Sequence, residues 1–239
     1  MTYFEYGYDL DEQQRIDNEN YQNKEVKNVD KEVGKGSGIM KPIPVDELML
    51  TWKPTEWIVN LFGAKGSCVL LAGDKGSGKS VFMYRMAEAI QKGEIFMTEL
   101  ETKKSKVFIW QADESRNNAK AKIKLMDLKK EKFCYLFKDD EYGHYLDINV
   151  LRRTIQENKY KVVFIDSITG LLMGNGINIK DSEFSKPLYQ LNNLASELEI
   201  LIVISAHLTK EDRSEVNLND ILGTGTQSGA VSDIWSIWT

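Results

Sequence analysis

The stretch LLAGDKGSGKSVF, residues 70–82, constrains this chain more than any other. Gly73, four residues, then Gly78, Lys79 and Ser80 fit the spacing G-x-x-x-x-G-K-[ST]. A loop of that kind works between a buried strand and a helix. Its glycines let backbone N–H groups turn inward around a phosphate, and the helix adds the positive end of its dipole. Both flanks are present: SCVLLAG reads as a buried strand, and KSVFMYRMAEAIQKG as a helix closed by Gly93. The pattern predicts a nucleotide site built from Gly73, Asp74, Lys75, Gly76, Ser77, Gly78, Lys79, Ser80 and Val81. Lys79 would reach the β- and γ-phosphates and Ser80 would ligate Mg2+. A glycine-rich turn that only caps a helix leaves Lys79 without a role.

The chain beyond the loop alternates in the same way. KVFIW, KFCYLF, KVVFID and ILIVISA read as strands. NNAKAKIKLMDLKK, INVLRRTIQEN (with Asp147 as its cap) and SEFSKPLYQLNNLASELE read as helical segments. Continuous apolar runs separated by amphipathic helices predict an α/β fold, with a mostly parallel central sheet flanked by helices on both faces. A short helix is expected around Glu56 to Phe62. The chain stops at DIWSIWT, which reads as the middle of a further strand, so the core reads either as truncated at its C-terminal end or as a minimal version of a longer one.

Residues 1–38 are set apart by composition. They carry nine acidic and five basic side chains, are aperiodic, and end in GKGSG, which reads as a flexible acidic arm ahead of a core over 39–239. The remainder holds 27 acidic against 26 basic side chains, so no global positive field exists to attract a polyanion. No apolar run reaches the ~18 residues of a membrane span. The acidic N-terminus does not resemble a secretory leader, and two cysteines give no disulfide framework. Together these point to a cytoplasmic protein.

A phosphate loop needs a second carboxylate for its metal, at the end of another apolar strand. VVFID ends at Asp166 and supplies it, making Ser80 and Asp166 the expected metal ligands. Hydrolysis also needs a base to orient water. In VFIWQADES, Asp113 and Glu114 stand just past a strand, where either serves if that strand neighbours Asp166. Their alternative use is to favour the start of the following helix. The sequence leaves the choice between the two open.

These motifs, in this order, resemble the RecA-like P-loop ATPases, most nearly the branch containing hexameric replicative helicases of the RepA and DnaB type (AAA_25-like). GDKGSGKS resembles Walker A, and WQADES the segment that carries the catalytic acid. VVFIDSITGL resembles Walker B, VISAHLTK the sensor strand, and ILGTGTQSGAVSDIW the Gly/Ser-rich segment before the next strand. The resemblance spans residues 42–239. It implies ATP and Mg2+ as cofactors and His207 as a γ-phosphate sensor. It also implies Lys210 or Arg213 as a finger reaching a neighbouring subunit's nucleotide. The family usually has Glu as its acid, often followed by Asp, whereas here the order is Asp113-Glu114.

The same resemblance implies a homo-oligomeric ring or filament acting on single-stranded DNA in replication, alongside replication partners and away from membranes. The loops 169–186 and 210–229 would face the nucleic acid, with Lys180, Lys186, Lys210 and Arg213 tracking phosphates. A helicase-type motor is the leading expectation. A recombinase or mediator filament and a nucleotide-dependent regulatory or assembly ATPase are its alternatives, and a small-molecule kinase is the outsider.

Overall fold

The computed structural model describes residues 41–177, 185–208 and 228–237. The chain divides into two units, 1–52 and 53–239. In the first, the described residues form one short helix, α1 (Val45–Leu50), following Pro44. Everything else belongs to the second.

That unit opens with a small antiparallel pair, β1 (Trp57–Val59) and β2 (Gly63–Ala64), where a short helix was expected. Ile58 and Val59 are both buried, and the chain reverses through Leu61 at a positive φ of 60°. β-Branched residues beside a tight turn suit a pleated pair better than a helical turn. At Gly63 the backbone runs close against the Leu201 side chain, which lies 2.7 Å from where a Cβ would stand.

The main sheet has six strands: β3 (Cys68–Gly73), β4 (Val107–Gln111), β5 (Cys134–Phe137), β6 (Val162–Asp166), β7 (Leu201–His207) and β8 (Asp233–Ile237). Their order is β5-β4-β6-β7-β3-β8, and every pairing is parallel. DIWSI is thus a strand, paired with β3.

Each strand divides its side chains between two cores. Cys68, Leu70, Phe108, Trp110, Val163 and Ile165 face one; Val69, Leu71, Val107, Ile109, Val162 and Phe164 face the other. This is why the strands read as unbroken apolar runs. Helix α2 (Lys79–Lys92) covers the second core with Met83, Tyr84, Met86 and Ile90, and α3 (Arg116–Leu125) adds Ile123. The first core is covered by α4 (Ile148–Asn158), α5 (Ile168–Gly174) and α6 (Ser185–Leu198). The fold is an α/β parallel sheet flanked by helices on both faces. No helix among the described residues is long and apolar enough to cross a membrane.

Part of the expected nucleic-acid loop 169–186 is helix α5. Gly170 and Gly174 are there for packing: a Cβ on Gly170 would stand 2.6 Å from the Ala112 carbonyl, and one on Gly174 would overlap that of His144. Their backbone is committed to a helix and its neighbours.

Candidate nucleotide site

The register brings the chemistry-bearing residues to one edge of the sheet. Gly73 pairs with His207 and with Ile237, Leu71 with Ser205, and Gln111 with Asp166. In parallel sheets, the carboxyl ends of the strands are where ligands sit. β7 lies between the strand feeding the phosphate loop and the one ending in Asp166.

The phosphate loop follows β3 as its sequence requires. Gly76 and Gly78 have φ of 88° and 92°, and Gly78 is the N-cap of α2. A Cβ on either would meet nothing described within 4 Å, so both lie on an open side of the loop. Gly73 is the opposite case, since a Cβ there would strike the Ile237 carbonyl and lie 2.7 Å from Ser77 Oγ. The first-turn amides of α2 lack intrahelical acceptors by construction. Ser77 Oγ is buried with no hydrogen-bond partner among the described residues.

Lys79 is only 6% exposed. Its Nζ donates to the Gly73 and Asp74 carbonyls, both at 2.8 Å, and stands 3.5 Å from His207 Nδ1. Burial holds this ammonium below the usual lysine range, and the carboxylates of Asp166, Asp74 and Asp113 act against that. A buried cation facing carbonyl oxygens is short of an anion. The open glycines, the orphaned hydroxyl and this cation suit a phosphate. Ser80, half-buried at the start of α2, and Asp166 are the residues that would hold its magnesium.

Asp166 is buried at the end of β6, with both carboxylate oxygens engaged. Ser205 Oγ donates to Oδ1 at 2.6 Å and Gln111 Nε2 to Oδ2 at 3.0 Å. The Asp166 carbonyl accepts from Ala112 N at 2.7 Å and Asp113 N at 3.2 Å.

Asp113 and Glu114 part company here. Asp113 Oδ2 lies 3.7 Å from His207 Nε2 and accepts from Ser167 Oγ at 3.4 Å. The His207 imidazole holds the Asp113 carboxyl below the usual carboxylate range despite partial burial, with the Ser167 hydroxyl and the Lys138 charge assisting. Glu114 turns to α3, where Lys122 Nζ bonds both its oxygens at 2.9 and 3.0 Å. Its carboxylate is neutralised within its own segment.

His207 therefore stands between Lys79 and Asp113. A neutral imidazole with its proton on Nε2 presents an acceptor to the ammonium and an N–H toward the carboxylate. Lys180, Lys210 and Arg213 lie outside the described residues. Lys186 is on α6, with an exposed side chain.

Sequence reading noted Ser167 only as the serine trailing VVFID, and passed over Gln111, Ser205 and Tyr84. The available signal was a polar residue inside or just beyond an apolar strand, as in VFIWQ and LIVISAH. A separate groove of about 240 Å3, lined in part by Phe108, Trp110, Tyr142 and Tyr160, lies between β5 and α4.

Comparison with known proteins agrees at the level of family. None of the curated proteins matches the chain. A solved KaiC-like protein, PH0186 from the hyperthermophilic archaeon Pyrococcus horikoshii OT3, is similar over 76% of this chain and 75% of that one, at 12% identity and a TM-score of 0.49. The AAA_25 family, described as an AAA domain, matches residues 39–213. With most of the chain covered by that match, the protein belongs to the AAA_25 family and is a P-loop ATPase domain.

Proposed function

We propose that this chain binds and hydrolyses Mg-ATP as a RecA-like motor of helicase type, acting on single-stranded DNA in replication. The observation carrying the hydrolytic part is the meeting of Lys79, His207 and Asp113 beside Asp166 at one sheet edge. Loop amides and Lys79 bind the phosphates, while Ser80 and Asp166 hold the metal. Magnesium, when bound, supplies positive charge against the β- and γ-phosphates. Asp113 is the base that orients water and takes its proton. It is ionised at neutral pH, and Glu114 is occupied by Lys122. His207 senses the γ-phosphate between Lys79 and Asp113.

The motor part rests on the order of the five sequence motifs and their resemblance to replicative helicases. Lys180, Lys186, Lys210 and Arg213 are its proposed DNA and intersubunit contacts, in a ring or filament. The test is ATP turnover with and without single-stranded DNA at low salt, with mass measured with and without nucleotide. Turnover stimulated by the strand and abolished by Lys79→Ala supports the motor. Slow turnover indifferent to DNA, with ATP-dependent assembly, overturns it in favour of a regulatory ATPase.

A further inference from the structure

We infer that Gln111 is the positioning residue that locks the metal-holding aspartate to the turn carrying the base, so that the two act as one unit. The inference rests on the nucleotide-hydrolase reading above and deepens it. Gln111 is the last residue of β4 and is completely buried. A polar amide there costs free energy unless its hydrogen bonds are made, and an apolar residue would complete the run VFIWQ more simply.

The amide has found three partners. Nε2 donates to Asp166 Oδ2 at 3.0 Å and to the Tyr84 hydroxyl of α2 at 3.2 Å. Oε1 accepts from the Glu114 backbone N–H at 3.2 Å. This orientation is the one the site demands, since a carboxylate needs a donor and an N–H needs an acceptor. One side chain thus joins the helix after the phosphate loop, the metal aspartate and the turn 112–114. The backbone repeats the link, because Ala112 N and Asp113 N both donate to the Asp166 carbonyl. When Asp166 is drawn toward its ligand, Asp113 is carried with it. Ser205 grips the other Asp166 oxygen from β7, on the far side of Asp166 from the turn, so it provides the contrast.

The test uses the full chain and the fluorescent probe N-methylanthraniloyl-ADP, titrated with and without Mg2+, together with ATP turnover. Gln111→Met keeps the length and removes both hydrogen-bonding groups. It should cut the Mg2+-dependent gain in probe affinity by about tenfold and leave metal-free affinity within about twofold. Its kcat should fall as well. In an Asp113→Asn background that second loss should vanish while the metal effect persists, because both changes then act on one element. Ser205→Ala should weaken the metal effect alone. If Gln111→Met does not fold, Gln111→Asn, which keeps the amide one methylene short of Asp166, carries the same test. A variant that responds to Mg2+ like wild type overturns the inference. A wild-type chain that fails to bind the probe at any Mg2+ concentration overturns the nucleotide reading instead.

Discussion

Adjacent carboxylates after one strand are indistinguishable in a sequence, and here their neighbours decide between them. Asp113 faces His207 and Ser167, and Glu114 is held by Lys122 eight residues further along. Asp113→Asn should therefore lower kcat about a hundredfold while nucleotide binding survives. Glu114→Gln should leave kcat nearly intact and cost at most about 1 kcal/mol of stability, the scale of a partly exposed ion pair. The reverse pattern would reassign the base. The pH dependence follows from the depressed Asp113 carboxyl. Its ionised form adds stability above the unfolded-state pKa, and that contribution is lost as pH falls through the lower folded value. His207→Asn removes the principal cause, so a carbon-13 titration of Asp113 in that variant should move upward. The phosphate loop and Asp166 were legible because their spacing and strand-end position are the chemistry itself. Ser205 and Gln111 were not, because the need for a donor at each Asp166 oxygen appears only once neighbouring strands are paired.

The elements were mostly legible, and their ends less so. Asp147 is the N-cap of α4 as expected, accepting from Asn149 N at 2.8 Å and Val150 N at 3.1 Å. The first expected DNA loop, 169–186, begins instead as helix α5. In LLMGNG, Gly174 ends helix α5 against the His144 carbonyl, and the Asn175 side chain bonds both the N–H and the carbonyl of Leu146. Propensity and packing then predict opposite signs for Gly174→Ala. Helix propensity alone promises a gain of up to about 1 kcal/mol. The added methyl meets backbone, which cannot rotate away, so overpacking should win with a net loss of about 1–3 kcal/mol. Asp147→Ala, which removes a cap without a clash, should lose about 1 kcal/mol. Urea midpoints of the two variants against wild type measure both, and a stabilised Gly174→Ala would show that packing against His144 is not limiting.

At the scale of the molecule, the order β5-β4-β6-β7-β3-β8 could not be read from the runs themselves, since strands buried on both faces carry no register mark. What the sequence does carry is polarity at the strand ends: Gly73, Gln111, Asp166 and His207 all fall at the C-terminal ends of their strands. The fold converts that alignment into one site by placing β7 between β3 and β6. A ligand there touches the ends of several strands at once, so binding should stabilise the whole 53–239 unit. Mg-ADP at about a hundred times its Kd should add about 2.7 kcal/mol. For a unit of this size, that corresponds to a rise in Tm of roughly 5–11 °C. Lys79→Ala should abolish the rise, because the buried ammonium is then missing. Chelating Mg2+ should shrink it without removing it, since loop amides and Lys79 bind phosphate without the metal. A wild-type melting curve unmoved by saturating Mg-ADP would mean that these strand ends do not converge on a nucleotide, whatever the loop's spacing.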